Sequence, residues 1–424
     1  MSFHSGRVSY CRFMVVGDAP LSVDETALAT LKDHAFAASE IGSPDQVEAG
    51  FITGAHLYDT QFTYETNAYG NPPGSLLLFA LRLDTHQVPG EVKQAYRAIE
   101  EQAVAKENPS GFASRAQKRD AMDVVERKLH EEISQGRYRK SKSIPVMWDL
   151  AAKQLYLGAT SNVAIEQISK LMSFAFAVDL RLMTAGTFAE DVFAGNKRDF
   201  EDLSPSQFTA PPKDAREAGE EDEGELPQDI SVPVTPWVHA SVSTRDFLGN
   251  ELFIWLWSML ESGENIINIP ALADGKKTGK KIRLAVVIDR SLDMDCAWDA
   301  TGKQSLRGPK PTHLPEAGEA LAAGKWPRKL GLILADADDE TQWELSLQGD
   351  KWLVSGAALP KVEEATSPRE ITDMRLQSTL RLSAVIDGLY LTFLDERMSS
   401  SWPTKRDSIR EWIKARRKKR SSGG

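Results

Sequence analysis

Apolar positions in the first 200 residues follow two periods, one typical of β-strands and the other typical of α-helices. A helical pattern at 92–99 leads directly into a basic segment, where Ser114 and Gln117 form a capping-box pattern that predicts the start of another helix. The pattern therefore indicates an α+β half. Short apolar runs predict its strands at 8–16, 75–84, 144–149 and 154–157.

The second half has a different pattern, because a strongly apolar helix precedes its strands. Residues 247–257 are apolar around most of the helical circumference, which predicts a helix buried on more than one side. Ser367, Pro368 and Glu370 predict the capped start of a long helix near the C-terminus. Strands are predicted at 282–288, 329–334, 343–347 and 352–354, the last two as a hairpin.

Prolines and an acidic run separate the two halves. Six prolines punctuate 203–236, and acidic residues dominate 214–225. Low hydrophobicity with like charge does not offset the entropy of ordering, so we expect an acidic flexible linker over 203–236. A solubilising spacer is its favoured role, and competition with nucleic acid for a basic face is the alternative. The expected fold is α+β, with antiparallel sheets and packed helices in two halves (1–202 and 237–399) and a basic helix and tail at 400–424.

The composition is that of an ordinary globular protein with a formal net charge of −10. Only Cys11 and Cys296 are present, which favours a reducing compartment and provides no disulfide framework. The most apolar windows are shorter than the roughly 20 residues of a membrane-spanning helix. The apolar run at 13–16 is too short for a signal-peptide core. We expect a cytoplasmic protein without membrane insertion.

Positive charge is concentrated in two places despite the acidic total. Nine Lys or Arg residues lie between Arg115 and Lys142 against five Asp or Glu residues, and a second cluster occupies 416–420. Concentrated cations bind polyanions such as DNA through phosphate contacts and counterion release. Few Asn or Gln residues accompany the arginines, so binding should be independent of sequence. The alternative is a solvated helix whose cations pair with three neighbouring carboxylates, those of Asp123, Glu126 and Glu131.

Three aspartates after a predicted strand, Asp289, Asp293 and Asp295, raise the alternative of a metal-dependent DNA nuclease, since carboxylates at a strand end can hold Mg²⁺. The competing interpretation is a solvated acidic turn. The seven histidines lack zinc-site spacing, and 274–280 lacks the order of a phosphate-binding loop, so it is interpreted as a basic hairpin or loop that could contact phosphates. We therefore expect no cofactor, no metal and no enzymatic activity.

Several short segments together resemble the RdgC family of recombination-associated proteins. They are Leu-Arg-Leu-Asp-Thr-His-Gln-Val-Pro at 81–89, Pro-Val-Met-Trp-Asp at 145–149, the helix at 316–325 and Lys-Leu-Gly-Leu at 329–332. This chain departs from the family pattern by the acidic linker, the apolar helix at 247–257 and the tail after about residue 400. The resemblance covers, in order, most of the chain outside the linker.

The resemblance implies a non-enzymatic, nucleoid-associated homodimer that closes into a ring around duplex DNA and limits the access of RecA-type recombinase. By position, residues 137–140 correspond to a stretch that makes a dimer contact, which assigns that role to Tyr138. Arg307 and Lys310 correspond to the other contact of the ring. Together with the basic segment and the tail, the residues predicted to bind DNA are Arg115, Lys118, Arg119, Lys128, Arg137, Arg139, Lys140, Lys142, Arg307, Lys310, Arg416 and Arg417.

Overall fold

The computed structural model describes residues 3–38, 47–194, 200–212, 232–300, 302–339, 341–362 and 365–418. The chain forms two compact units. The large unit comprises Met1–Val16, Trp148–Thr160 and Leu180–Gly424, and the small unit comprises Gly17–Met147 and Ser161–Asp179. Both units combine helices with antiparallel strand pairs, so the expected α+β class is confirmed.

The small unit is built on three neighbouring strands in the order β5, β4, β2. Strand β2 pairs antiparallel with β4 from Val47 opposite Thr85 to Ile52 opposite Ala80. Phe51 is fully buried against Phe79, with ring centroids 5.3 Å apart. The elements are α1 (Glu25–Asp33), β2 (Val47–Ile52), α2 (Tyr64–Asn67), β3 (Ala68–Tyr69), β4 (Leu76–His86), α3 (Gly90–Glu107), α4 (Arg115–Ser134), β5 (Arg139–Asp149, up to Met147 in this unit) and α5 (Asn162–Phe176).

Helices α3 and α4 pack against each other as a helical hairpin in the small unit. Helix α4 carries the first part of the basic segment. The predicted capping box is present, because Ser114 accepts from the backbone of Gln117 and the Gln117 side chain returns to the backbone of Ser114. Helix α4 buries an apolar stripe, whereas none of the residues across Gly90–Glu107 is buried. The hairpin is therefore a largely solvated element. The apolar side chains of the α4 stripe are Ala121, Val125, Leu129 and Ile133.

The large unit is built on an antiparallel sheet with the strand order β10, β9, β11, β12, β13, β1, β6. Strand β8 pairs with β9, and β7 pairs with β1. Its elements are β1 (Val8–Val16), β6 (Gln154–Leu157), β7 (Asp179–Leu182), α6 (Ala185–Val192), α7 (Phe247–Glu261), β8 (Ile266–Ala273), β9 (Lys276–Cys296), β10 (Gln304–Gly308), α8 (Pro315–Ala322), β11 (Lys325–Asp336), β12 (Gln342–Gln348), β13 (Leu353–Ala358), α9 (Pro368–Arg397) and α10 (Trp402–Lys418).

Aromatic residues of α7 and α9 form much of the core of the large unit. Twelve of the 15 residues of α7 are buried, which confirms the prediction of a helix packed on more than one side. Trp255 packs on Phe393 of α9 with ring centroids 5.7 Å apart. The ring centroids of Tyr390 and Trp352 are 4.4 Å apart. Ser367 caps α9 with Pro368 in its first turn, as predicted. Among the described helices, none has the length and apolarity needed to cross a bilayer.

The start of the predicted linker is packed rather than solvated. Phe208 is buried against Trp326 and Trp402, with centroid distances of 5.5 and 6.4 Å. Trp402 also donates a 3.1 Å hydrogen bond to Ser206. The linker prediction is therefore wrong for 203–212, because one aromatic side chain anchors this segment to the core. Residues 213–231, which include most of the acidic run, lie outside the described residues.

The predicted halves also differ from the compact units. Strand β1 pairs with β13, so the N-terminal strand belongs with the C-terminal part of the chain. Helix α10 is an integral part of the large unit, since Trp402, Ile409 and Ile413 are buried. Long-range strand pairing and helix docking, rather than the linker, thus define the units.

Candidate nucleic-acid interface

The excess of positive charge in the basic segment comes from its last few residues. Helix α4 carries five Lys or Arg residues and five Asp or Glu residues, so its formal net charge is zero. The surplus lies in 137–142, where four cations follow without a carboxylate. Any phosphate-binding surface must therefore depend on which cations remain unpaired after folding.

Three cations at the start of α4 remain unpaired. Arg115, Lys118 and Arg119 are exposed, and none forms an ion pair with a described residue. The alternative of a salt-bridged helix face is not found, since within the described part of the chain the three expected carboxylates form no ion pair either. These carboxylates are Asp123, Glu126 and Glu131. The N-terminal turn and a half of α4 thus offers three cations to solvent.

Lys128 lies further along α4 and has an aromatic partner. Its Nζ sits 4.3 Å from the ring centroid of Tyr96 on α3. A cation–π contact at an exposed site is worth about 0.5–1 kcal/mol, which leaves the ammonium charge in place. Lys128 therefore helps to hold the hairpin together and is still exposed to solvent.

Glu132 gathers three donors where α4 approaches β5. Its Oε1 accepts from Tyr96 at 2.7 Å and from Arg137 at 2.9 Å, and its Oε2 accepts from Tyr138 at 2.7 Å. Hydrogen bonds from Tyr138 and then Tyr96 lower the pKa of Glu132. The same bond raises the pKa of Tyr138 to about 12. Arg137 is thus neutralised by Glu132, and the hydroxyl of Tyr138 is engaged within the chain.

Arg139 is directed into a polar cluster on β2 and β4. Its guanidinium lies 3.6 Å from Glu48 and 4.0 Å from Asp84, and its side chain is only 25% exposed. Asp84 is fully buried and also accepts two hydrogen bonds from Arg82, at 2.9 and 2.7 Å. Two carboxylates therefore compensate the charge of Arg139 inside the unit, and its contact with DNA stays a prediction that this pairing does not favour.

The neighbouring lysines of β5 have the opposite orientation, because alternate side chains of a strand point to opposite faces. Lys140 and Lys142 are exposed, and neither forms an ion pair with a described residue. Lys140 donates a 3.2 Å hydrogen bond to Gln87, which leaves its charge uncompensated. Two residues apart on one strand, the side chains emerge about 7 Å from each other. They form a second unpaired cationic group in the small unit.

Two predicted DNA contacts in the large unit lie at β10. Arg307 donates a 2.7 Å hydrogen bond to Asp293 on the adjacent strand β9, so a carboxylate partly compensates its charge, and its contact with DNA stays a prediction. Lys310 is exposed and has no carboxylate partner among the described residues, although its backbone N–H donates to Asp289. Of this pair, only Lys310 presents a free charge.

The three aspartates of the nuclease alternative do not form a metal site. Besides the Asp293–Arg307 pair, Asp295 lies 3.4 Å from Arg328 and 3.7 Å from Lys303. Burial alone would raise the pKa of Asp293. Hydrogen bonds from Arg307 and Ser305 outweigh this effect, so the pKa lies below its ordinary value. Across the described ranges, no group of three His, Cys, Asp or Glu side chains is arranged to hold a metal ion. These carboxylates instead neutralise cations of the sheet.

Arg416 of the C-terminal run has a structural role. It forms an ion pair with Glu261 and donates a 2.7 Å hydrogen bond to the carbonyl of Thr312. Its guanidinium carbon lies 5.0 Å from the ring centroid of Trp257 and 5.4 Å from that of Trp412. Its side chain is 17% exposed. These groups enclose Arg416, which favours a structural role over its predicted contact with DNA. The side chain of Arg417 lies outside the described residues.

One strongly cationic element was not included among the predicted DNA contacts. The β8–β9 hairpin carries Lys276, Lys277, Lys280 and Lys281, all of them exposed. The sequence signal was the repeated Gly-Lys-Lys and the Asp274-Gly275 pair, which is typical of a two-residue hairpin turn. Of the two predicted forms of 274–280, a basic hairpin or a loop, the structure shows the hairpin.

Six of the predicted DNA-binding cations in the small unit are exposed and form no ion pair with a described residue, and Lys310 is such a cation in the large unit. Those of the small unit are Arg115, Lys118, Arg119, Lys128, Lys140 and Lys142. No protein-family model matches this chain, and no curated protein sequence matches it either.

Proposed function

We propose that this chain is a non-enzymatic protein that binds duplex DNA independently of sequence. One observation carries the proposal: Arg115, Lys118, Arg119, Lys140 and Lys142 are exposed without ion pairs among the described residues, while Arg137 and Arg139 are paired with carboxylates. Uncompensated cations are the groups that release counterions from DNA, each contributing roughly 0.9 to the slope of log K against log salt.

Sequence independence follows from the chemistry of the same residues. Phosphate contacts by Lys and Arg position a protein on DNA without reading bases. The amide side chain nearest to the cations on α4, Gln117, is occupied by Ser114 and Asn108. No bidentate amide therefore remains at this end of α4 to read adenine.

The resemblance to the RdgC family extends the proposal to assembly and role. The protein acts as a nucleoid-associated, cytoplasmic homodimer whose ring encloses duplex DNA and limits RecA-type recombinase. Tyr138 and Lys310 lie at the two positions that correspond to ring contacts. Ile99 is 57% exposed on α3, one turn from Tyr96, which shares Glu132 with Tyr138, and this apolar side chain supports a contact with a second subunit near Tyr138.

The DNA-binding part is tested with a charge-reversal variant and a matched control. Arg115→Glu/Lys118→Glu/Arg119→Glu should weaken duplex binding by at least about a hundredfold in a gel shift at low salt. Lys32→Glu/Lys351→Glu/Lys361→Glu makes the same change in charge at exposed positions elsewhere and should have a much smaller effect. Equal losses in both variants would mean that net charge alone drives binding. Mg²⁺ is present throughout, and appearance of cleavage products would refute the non-enzymatic role.

The ring is tested separately by topology. Covalently closed circular duplex should dissociate much more slowly than linear duplex of the same length, because a closed ring cannot slide off an end. Sedimentation should give a dimer. A monomer, or equal dissociation from both DNA forms, would reject the ring while leaving DNA binding intact.

A further inference from the structure

The β8–β9 ribbon, residues 266–285, projects four lysines from the large unit. Ala273 is opposite Lys276, and the two residues between them, Asp274 and Gly275, have φ values of 49° and 73°. Positive φ at both central positions is the signature of a type I′ turn, whose twist matches that of the two strands. The tip is therefore a regular two-stranded ribbon rather than a loose loop.

Strand β9 contains a β-bulge close to the tip of the ribbon. The register shifts between the pairs Leu272–Lys277 and Pro270–Lys281, so extra residues lie on the β9 side. The hydroxyl of Thr278 donates to the carbonyl of Ala271 at 3.0 Å and accepts from the backbone of Lys280 at 3.3 Å. The bulge thus has its own hydrogen bonds and positions Lys280 and Lys281 on the ribbon.

The base of the ribbon is anchored on α9. Ile267 and Ile269 are buried, and Gly388 of α9 approaches so closely that an added Cβ would lie 2.7 Å from the carbonyl of Pro270. A buried base and a hydrogen-bonded tip make the ribbon an ordered support for its lysines.

The charges of the ribbon are mostly uncompensated. Lys277 pairs with Asp395 at 3.2 Å, whereas Lys276, Lys280 and Lys281 form no ion pair with any described residue. Three ammonium groups within six residues repel one another, and this repulsion is relieved when a polyanion binds. The nearest carboxylate in sequence, Asp274, faces Asp149 and raises the pKa of that residue in addition to the larger effect of burial.

We propose that this ribbon is a second duplex DNA contact, in which Lys276, Lys280 and Lys281 bind backbone phosphates. The inference rests on the proposed function. A two-stranded ribbon fits the major groove of B-DNA, which is about 12 Å wide. Its tip has the sequence Asp-Gly-Lys-Lys-Thr-Gly-Lys-Lys, without aromatic or aliphatic side chains. Protein interfaces depend on such anchors and are depleted in lysine, so the tip is better suited to phosphates than to a protein partner.

The ribbon contact is tested by measuring how salt concentration changes the affinity of the full-length chain for duplex DNA. Lys276→Gln/Lys280→Gln/Lys281→Gln should reduce the slope of log K against log salt by about 0.9 for each lysine that contacts a phosphate, with a roughly tenfold or greater loss of affinity at 0.1 M salt. The triple Lys→Arg variant keeps the charge and should retain the wild-type slope. Lys32→Gln/Lys351→Gln/Lys361→Gln is the matched control for charge and should change the slope little.

The outcomes separate this inference from the proposed function. Wild-type protein that does not bind duplex DNA refutes the proposed function and the ribbon contact together. Wild-type binding with an unchanged slope and affinity in the ribbon variant refutes the ribbon contact alone. Recovery of an acidic protein partner that depends on these lysines, with DNA affinity unchanged, would likewise assign the ribbon to protein binding.

Discussion

The hydroxyl of Tyr138 donates a 2.7 Å hydrogen bond to the carboxylate of Glu132, and this bond joins the end of α4 to the segment that leads into β5. Arg137 and Tyr96 bind the same carboxylate, so one acidic side chain organises the base of the helical hairpin. The unpaired cations lie on either side of this junction along the chain, with Arg119 before it and Lys140 after it.

The Glu132 junction should make the hairpin sensitive to acid. Because the pKa of Glu132 is lowered from its ordinary value of 4.5, the unfolded chain takes up its proton at a higher pH than the folded chain does. The stabilisation is therefore complete above about pH 4.5 and is lost as the pH falls through the lower, folded-state pKa. Hydrogen-exchange protection of α3 and α4, corrected for intrinsic rates, should fall over this range in the wild type and much less in Glu132→Gln. Identical profiles would show that the junction contributes nothing to the hairpin.

Removal of one partner from a buried ion pair should strongly destabilise the large unit. Arg12 of β1 donates to both oxygens of Asp387 on α9, at 2.7 and 2.5 Å, and both residues are buried. Replacement by Arg12→Leu leaves a buried carboxylate without its cation, at a cost of about 3–5 kcal/mol in the free energy of unfolding. Denaturant unfolding monitored by tryptophan fluorescence measures this loss.

The control for this variant is an exposed ion pair of the same unit. Arg7 lies 3.3 Å from Glu344 with a half-exposed side chain, so Arg7→Leu should cost less than about 1 kcal/mol. Equal losses in the two variants would contradict the importance of burial. A double variant, Arg12→Leu/Asp387→Leu, should recover part of the loss because no unpaired charge remains.

Arg416 should contribute to stability and not to DNA affinity. Arg416→Gln removes the ion pair to Glu261 and the contacts with Trp257 and Trp412, and we expect a loss of about 1–3 kcal/mol with a change in tryptophan fluorescence. The slope of DNA binding against salt should stay at the wild-type value. Lys414→Gln, an exposed site two residues away, is the control for helix propensity. A reduced slope in Arg416→Gln with unchanged stability would restore its assignment to DNA.

Local signals predicted much of the secondary structure because they depend on neighbouring residues. The caps at Ser114 and Ser367 and the buried helix α7 could be read from spacing and composition alone. The pairing of β1 with β13 could not, because strands at opposite ends of the chain leave no local signature. The long β9 was also underestimated, since its first third is exposed and lysine-rich.

The candidate site was predicted by residue type, and the folded structure determined which charges remain available. Nothing near Arg139 in the sequence indicates that Glu48 and Asp84 will neutralise it, because the contact depends on the order of β5, β4 and β2 in the sheet. The structural role of Arg416 could not be predicted for the same reason, since Glu261 is far away in sequence. In contrast, Lys140 and Lys142 remain exposed as the alternation of strand side chains requires.

The salt dependence of duplex binding tests the central claim most directly. Equilibrium titrations of a short duplex between about 50 and 200 mM salt should give a steep negative slope of log K against log salt for the wild type. In the variant with Arg115, Lys118, Arg119, Lys140 and Lys142 all replaced by Gln, the slope should become shallower by up to about 4.5. A wild type that does not bind duplex, or a variant with the wild-type slope, would contradict the account.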